Sequence, residues 1–260
     1  MNLPFYWIDA FSDKRFHGNP AAVILAPTEL DGAMMQAIAT ENNLAETAFV
    51  MTSRTPHPIR WYTPTAEIDL CGHATLASAF ALFDRGLSAK HAIEFVSASG
   101  PLRVSRSAEL LALDFPARPT SPSPDLTELV SAALGAVPRE VRSANATMAV
   151  FSTEEEILAL RPHMDQVARL PGYGLVVTAP GEATDFVSRF FAPQVGVPED
   201  PVTGSTHCSL IPYWSARFGK TKLHAKQLSA RGGSLWCEDH GERVSIAGHC
   251  TLYLRGEIHV

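Results

Sequence analysis

Glu46 is the first residue in this sequence whose surroundings suggest proton chemistry. Its neighbours are small or apolar, among them Leu44, Ala48 and Phe49, so its carboxyl group leaves a turn into an apolar setting. Burial disfavours the charged form of a carboxylate, which lets such a group exchange protons near neutral pH. A capping or surface glutamate at the end of a loop would have the same local sequence, and both interpretations stay open at this point.

Two glycine-containing turns, each directly before a helical pattern, could bind an anion. The first contains Gly72 and the second contains Gly204 followed by Ser205. The first N–H groups of a helix have no partner inside the helix, and glycine lets a ligand approach the backbone closely. One such turn is most simply an N-cap that satisfies its own helix. Two turns at corresponding places favour a shared anionic ligand such as a carboxylate.

Four further polar residues are candidates because of where they lie. An imidazole titrates near neutral pH, so His73 could protonate or orient a substrate, although this chain has 10 histidines. Asp200 precedes the second glycine turn and could cap its helix or hydrogen-bond a substrate. Asn19 and Ser205 are predicted to line the site as hydrogen-bonding residues. Ser205 lacks the GxSxG setting of a hydrolase nucleophile.

The four cysteines do not form a metal-binding or disulfide pattern. Cys71, Cys208, Cys237 and Cys250 include no CxxC pair, which indicates reduced thiols. Cys71 and His73 lie two residues apart but lack the paired spacing of a zinc knuckle. We therefore predict no metal site.

Composition excludes several classes of protein. The chain has 260 residues, of which 46% are hydrophobic and 18% charged, so it can form packed cores. A formal net charge of −6 without a Lys/Arg cluster argues against a nucleic-acid partner. No apolar run reaches the roughly 18–20 residues that cross a bilayer, and the N-terminus does not have the pattern of a secretory signal. We expect a cytoplasmic protein without a membrane partner.

The order of motifs is duplicated along the chain. Arg-Trp-Tyr-Thr-Pro at 60–64 precedes the first glycine turn, and Arg-Phe-Phe-Ala-Pro at 189–193 precedes the second. A second turn, which contains serine and glycine, follows each glycine turn. Its glycine is Gly100 in the first half and Gly232 in the second, in each case 28 residues after Gly72 or Gly204. The duplication predicts two similar domains with the chemistry in a cleft between them.

The predicted elements indicate an α+β fold. Helical patterns rich in Ala, Leu or aromatic residues cover 75–83 and 208–218, and each must be buried by the strands predicted around it. A further strand is predicted at 227–230. The pattern in each half is thus one buried helix with a sheet, rather than alternating βαβ units.

A proline-rich segment separates the two halves. Residues 116–124 contain four prolines, which predicts a linker that cannot continue a sheet. We predict an N-terminal domain over 1–117 and a C-terminal domain over 125–260, with the last strand able to return to the N-terminal domain.

Taken together, these motifs resemble the PhzF-like family of phenazine biosynthesis proteins, in the diaminopimelate-epimerase-like superfamily. The resemblance extends from residue 5 to about 256. It is carried by Asp-Ala-Phe at 9–11, Gly-Asn-Pro-Ala-Ala-Val at 18–23, the segment 41–49, the segment 60–64, Asp-Leu-Cys-Gly-His-Ala-Thr at 69–75, Phe-Ala-Pro at 191–193 and Glu-Asp-Pro-Val-Thr-Gly-Ser at 199–205. It implies two similar domains, each a curled mixed sheet around a central helix, a homodimer and no cofactor.

The resemblance also implies roles for individual residues. The family's proton-shuttling glutamate corresponds to Glu46, and its supporting histidine and aspartate correspond to His73 and Asp200. Its substrate-contacting turn residues correspond to Gly72 and Ser205. The family member in the phenazine pathway isomerises a dihydro-hydroxyanthranilate. Many relatives act elsewhere, so no substrate is implied for this chain.

We therefore predict a cofactor-independent isomerase that moves a proton between carbon atoms of a small carboxylate. An epimerase that uses Cys71 or Cys208 is a rival, which the absence of a cysteine from the second turn disfavours. A binding protein that kept the fold and lost turnover is the other rival.

Overall fold

The computed structural model describes residues 1–88 and 91–260 of the chain. The chain separates into two compact units. Unit 1 consists of Met1–Asp114 and Ala247–Val260, and unit 2 consists of Phe115–Ile246. Unit 2 is thus continuous in sequence, whereas unit 1 is formed by both ends of the chain. The boundaries predicted from sequence, 1–117 and 125–260, stay a prediction about folding units, which fragments of the chain would test.

Unit 1 is a mixed sheet with two helices. Its elements are β1 (Asn2–Ala10), β2 (Asn19–Ala26), α1 (Gly32–Asn42), β3 (Glu46–Met51), β4 (His57–Tyr62), β5 (Glu67–Ile68), α2 (Gly72–Asp84), β6 (Ala92–Ser97), β7 (Gly100–Ser107) and β8 (Leu110–Pro116). The last strand of the chain, described below as β18, also belongs to this unit. The fold class is therefore the predicted α+β.

The strands of unit 1 alternate between antiparallel and parallel pairing. β1 and β2 are antiparallel, β2 and β3 parallel, β3 and β4 antiparallel, and β4 and β6 parallel. β5 adds to β4, and β6, β7 and β8 follow as antiparallel neighbours. Helix α2 packs against β1, β2, β3 and β7, so the sheet of this unit covers the helix from several sides.

Helix α2 forms and is buried because its sequence is apolar or small on every face. The stretch from His73 to Ala79 is buried without interruption, and alanines let the strands approach closely. The helix ends at Asp84, and Gly86 follows with a φ of 67°, a left-handed conformation that glycine adopts without strain. The predicted helix over 75–83 and its glycine stop are confirmed, and the helix begins at Gly72.

Unit 2 has the larger share of helices. Its elements are β9 (Ser121–Pro122), α3 (Thr127–Leu134), β10 (Glu140–Ser143), β11 (Thr147–Val150), α4 (Glu154–Ala159), α5 (Met164–Val167), β12 (Leu175–Pro180), β13 (Phe186–Ala192), β14 (Val197–Asp200), α6 (Gly204–Phe218), β15 (Lys222–Gln227), β16 (Gly233–Asp239) and β17 (Arg243–Gly248), after which the chain enters β18 (Cys250–His259).

Unit 2 repeats the strand pairings of unit 1 in the same order. β10 and β11 are antiparallel, β11 and β12 parallel, β12 and β13 antiparallel, and β13 and β15 parallel. β14 adds to β13 as β5 adds to β4, and β15 and β16 close the series as an antiparallel pair. α6 stands at the place in this order that α2 occupies in unit 1. The duplication in the sequence is therefore a duplication of topology.

Three sequence-based predictions for unit 2 were wrong in detail. The strand expected at 227–230 is instead β15, Lys222–Gln227, where exposed lysines alternate with buried residues and so hide the apolar pattern. The segment 116–124 does enter a sheet, because Ser121–Pro122 pairs with β10 at an edge, where a proline is tolerated. The helix expected over 208–218 begins earlier, at Gly204.

Each unit has its own packed interior. Among the described residues, a cluster in unit 1 includes Ile24, Phe49 and Tyr62, and a cluster in unit 2 includes Val177 and Phe191. None of the helices in the described part of the chain combines the length and the apolarity that a bilayer span requires.

Candidate active site

Glu46 is the first residue of β3 and lies at the start of its parallel pairing with β2. Asn43, in the left-handed conformation at the end of α1, turns the chain toward this strand. The Glu46 side chain is only 16% exposed. The expectation that this carboxyl group leaves a turn into a largely buried position agrees with the geometry.

His73 lies directly against Glu46. It is the second residue of α2 and is buried, and its Nε2 is 3.0 Å from Oε2 of Glu46. Those two atoms are at contact distance but are not aligned as a hydrogen bond. Catalytic hydrogen bonds often become aligned only when substrate is bound. The structure thus brings together two of the residues predicted to carry the chemistry.

The other ring nitrogen of His73 faces Asn19 and Cys71. Nδ1 of His73 is 3.2 Å from Nδ2 of Asn19 and 3.5 Å from Sγ of Cys71. Asn19 is the first residue of β2 and is completely buried, and Cys71 is the N-cap of α2. Three elements of unit 1 therefore converge on one imidazole ring, and the binding of substrate by Asn19 stays a prediction.

The electrostatic setting separates the roles of the thiol and the imidazole. Burial, together with the charge of Glu46, raises the pKa of the Cys71 thiol, so the thiol keeps its proton. Burial by itself lowers the pKa of His73, but the adjacent Glu46 opposes burial, and that pKa is raised above its usual value. Nε2 of His73 is the ring nitrogen that faces the carboxyl group of Glu46.

Gly72 begins α2 directly beside this cluster. The N-cap residue Cys71 makes no side-chain hydrogen bond to the first turn of the helix. In many helices a Ser, Thr, Asp or Asn side chain would accept from these N–H groups. The first turn of α2 therefore has N–H groups that a carboxylate could reach, next to Glu46 and His73.

In unit 2 the predicted residues belong to a hydrogen-bonded segment before α6. Asp200 ends β14, and its carboxylate accepts a hydrogen bond from the hydroxyl of Thr203, the N-cap of α6. Gly204 is the first residue of α6, and Ser205 is the second. The Ser205 hydroxyl lies 3.0 Å from the hydroxyl of Tyr173. The contributions of Asp200, Gly204 and Ser205 to substrate binding stay predictions.

Gln227 holds this segment in place and was not predicted. It is fully buried, and its Nε2 donates to the carbonyl of Asp200 at 2.8 Å while its Oε1 accepts from the N–H of Thr203 at 2.9 Å. A glutamine between a strand and a turn carries no recognisable motif. Its function depends on the pairing of β15, which the sequence analysis missed.

Glu46, Cys71 and His73 also bring three potential metal ligands together. One ligand atom from each lies within 4.8 Å of the others in the described part of the chain. The spacing of cysteines and histidines along the chain predicts no metal site, but spacing cannot detect a ligand contributed by another strand. The expectation that the protein works without a metal stays a prediction.

The repeated strand order, with one buried helix in each unit, defines an epimerase-like fold, and in unit 1 Glu46 and His73 meet at the start of that helix. Residues 8–256 match the family described as phenazine biosynthesis-like protein (PhzC-PhzF), and the chain belongs to that family.

Individual relatives agree with this assignment. A protein from Pseudomonas aeruginosa named an uncharacterized isomerase is 52% identical, covering 99% of both chains. The crystal structure of a PhzF-family phenazine biosynthesis protein from Enterococcus faecalis superposes with a TM-score of 0.95 at 43% identity, covering 100% of both chains. A predicted epimerase from P. aeruginosa, 19% identical with a TM-score of 0.78 over 99% of both chains, shares the fold. These relationships support isomerase as the general class of activity.

Proposed function

We propose that this protein is an isomerase that moves a proton between two carbon atoms of a small carboxylate-bearing molecule, without a cofactor. Glu46 takes the proton from one carbon and returns it to another. His73 orients the carboxyl group of Glu46 during the transfer. The overall reaction changes the position of a double bond or of a hydrogen and leaves the composition of the substrate unchanged.

The observation that carries this proposal is the contact between the largely buried carboxylate of Glu46 and the buried ring of His73 at 3.0 Å. A carboxyl group held against an imidazole and largely away from water is placed for general acid–base catalysis. The contact is not a simple surface ion pair, because His73 is held from its other side by Asn19 and Cys71.

We further propose that the N–H groups at Gly72 bind the carboxylate of the substrate, and that Asp200, Gly204 and Ser205 provide additional contacts. The helix dipole of α2 favours a negative charge at this end. Asn19 supports the site by fixing the ring of His73. The homodimer and the cytoplasmic location remain predictions that follow from the family resemblance and the composition.

The first prediction concerns Glu46→Gln, which removes the base and preserves the shape of the side chain. A positioned acid–base group contributes about 10²–10⁴-fold in rate, so turnover should fall at least ~100-fold. A panel of small carboxylates with a carbon acid next to a double bond, including a dihydro-hydroxyanthranilate, is incubated in D2O, and deuterium incorporation is measured by mass spectrometry.

The matched control is Glu41→Gln, because Glu41 is exposed in α1 only five residues away. That variant should incorporate deuterium at the wild-type rate. Incorporation by Glu46→Gln at the rate of the Glu41→Gln control would show that Glu46 is not the proton carrier.

A cysteine-based epimerase is the rival supported by a specific contact, the 3.5 Å approach of Cys71 to His73. Against it, the N-cap of α6 is Thr203 where α2 has Cys71, so unit 2 offers no thiol at the corresponding position. Burial also raises the pKa of Cys208 to about 11. Unchanged deuterium incorporation by both Cys71→Ser and Cys208→Ser would exclude this rival. A binding protein without turnover would incorporate no deuterium into any compound that it binds.

A further inference from the structure

We propose that Tyr173 is a positioning residue that orients the hydroxyl of Ser205 toward the carboxylate of the substrate. The proposal rests on the proposed function, in which Ser205 contacts the substrate. It assigns a neutral, hydrogen-bonding role to the pair of Tyr173 and Ser205 in unit 2.

The internal repeat shows which residues of unit 2 correspond to that pair. In the repeated motifs, Tyr62 of β4 corresponds to Phe191 of β13. In unit 1, Tyr62 pairs with Thr47 of β3, and Glu46 directly precedes Thr47. In unit 2, Phe191 pairs with Leu175 of β12, and Gly174 directly precedes Leu175. Unit 2 therefore has a glycine at the position that the proton carrier occupies in unit 1.

The helix that follows shows the same replacement. His73 is the second residue of α2, and Ser205 is the second residue of α6. The hydroxyl of Tyr173, the residue next to Gly174, lies 3.0 Å from Oγ of Ser205. A pair of hydroxyl groups thus stands in unit 2 at the place where unit 1 has a carboxylate and an imidazole.

The ring of Tyr173 is held firmly. It packs against Phe190 with ring centroids 5.4 Å apart, and its backbone N–H donates to the carbonyl of Asn145 at 3.1 Å. A Cβ on Gly174 would lie 2.4 Å from the ring of Phe190, so only glycine permits this close approach. The position of the Tyr173 hydroxyl is therefore set by packing, and little side-chain entropy is lost when it forms a hydrogen bond.

This arrangement determines what the serine hydroxyl can do. A hydroxyl group has one proton to donate, and a carboxylate only accepts. When Tyr173 donates to Oγ of Ser205, the serine proton remains available for the carboxylate, and the two hydrogen bonds strengthen each other. Burial raises the pKa of Tyr173, so the phenol keeps its proton and can act as the donor.

The test is a double-mutant cycle on binding of 3-hydroxyanthranilate, an aromatic carboxylate that cannot undergo the isomerisation. Tyr173→Phe, which removes only the hydroxyl, should weaken binding about 3–10-fold in calorimetry, the effect of one hydrogen bond. In a Ser205→Ala background the same substitution should change affinity less than about 2-fold, because its effect acts through the serine. The control is Tyr213→Phe, whose hydroxyl bonds to Glu140 in the same unit and which should bind as the wild type does.

Each outcome decides the proposal. Equal losses from Tyr173→Phe in both backgrounds would indicate a general packing defect and overturn it, as would no loss at all. Failure of the wild type to bind this probe and every carboxylate of the deuterium-incorporation panel would also overturn it, because the proposed ligand is a carboxylate. Deuterium incorporation tests the proposed function separately. If incorporation depends on Glu46 but the double-mutant cycle shows no coupling between Tyr173 and Ser205, only the role of Tyr173 is refuted.

Discussion

The buried histidines His73 and His207 have opposite tendencies to become charged, because their neighbours differ. His73 lies against a carboxylate, and its pKa is raised well above the usual value despite burial. His207, in α6, packs near the ring of Phe186, and among the described residues no carboxylate shifts its pKa. Burial lowers the pKa of His207 to about 4, and its Nδ1 donates to the carbonyl of Thr203 at 2.8 Å. The first ring can take part in proton transfer, whereas the second is a neutral structural group.

His207 predicts a loss of stability in acid. Because the folded protein holds this ring neutral, the unfolded chain binds more protons in acid. The contribution of His207 to the free energy of unfolding is therefore complete above pH 6.5 and falls as the pH drops toward about 4. The full effect is about 3 kcal/mol. In His207→Gln this part of the pH dependence should disappear from urea unfolding measured between pH 7 and 4. The exposed His163→Gln variant should retain it, and equal slopes in both variants would contradict the assignment.

Part of this site was predictable because its residues lie in motifs. Glu46, Gly72 and His73 lie in short segments rich in small residues, and the structure brings Glu46 and His73 into contact. Tyr173 and Gln227 were not predicted, because their importance arises from contacts with residues 32 and 24 positions away. No local pattern of residue types records such a contact.

At the scale of elements, a forked Arg–Glu pair precedes each glycine turn. In unit 1, Arg60 of β4 donates two hydrogen bonds to Glu67 of β5, at 2.6 and 2.7 Å. In unit 2, Arg189 of β13 does the same to Glu199 of β14, at 2.8 and 3.1 Å. Both pairs hold the short strand that leads into the turn. The sequence analysis found the arginines in the repeated motifs but not their partners.

The two Arg–Glu pairs differ in burial, which predicts that breaking them lowers the free energy of unfolding by different amounts. The side chains of Arg60 and Glu67 are 37% and 41% exposed, whereas those of Arg189 and Glu199 are 13% and 25% exposed. An exposed ion pair contributes less than about 1 kcal/mol, but a largely buried arginine that loses its partner costs more. Glu199→Gln should therefore lower the free energy of unfolding by about 1–3 kcal/mol, and Glu67→Gln by less than about 1 kcal/mol.

Urea unfolding of both variants at one pH measures this difference, and each fork serves as the control for the other. Arg189 also donates to the carbonyls of Ile157 and Leu160 at the C-terminal end of α4, so its position does not depend on Glu199 alone. A larger loss in Glu67→Gln than in Glu199→Gln would mean that burial does not determine the strength of these pairs.

At the scale of the whole chain, unit 1 depends on the C-terminal strand. β18 pairs antiparallel with β1 from Asn2–His259 to Ala10–Cys250, and the N–H of Val260 donates to the carbonyl of Met1 at 2.8 Å. The alternation of residues at 252–258 predicts a strand, but it does not identify the partner. The sequence is compatible with a last strand that returns to the N-terminal domain, but it does not show that the strand does so. A strand pattern fits either sheet equally well.

This topology predicts that the two units behave differently when they are separated. A fragment covering residues 115–246 contains all of unit 2 and should unfold cooperatively by itself in urea, followed by circular dichroism. A fragment covering 1–114 lacks β18, so β1 keeps an open edge and the sheet loses one of its longest pairings. That fragment should be largely unfolded or aggregated. Joining 247–260 to it through a Gly/Ser linker should restore cooperative unfolding. If the 1–114 fragment folded as well as the extended one, the C-terminal strand would be an accessory to unit 1 and not a part of its structure.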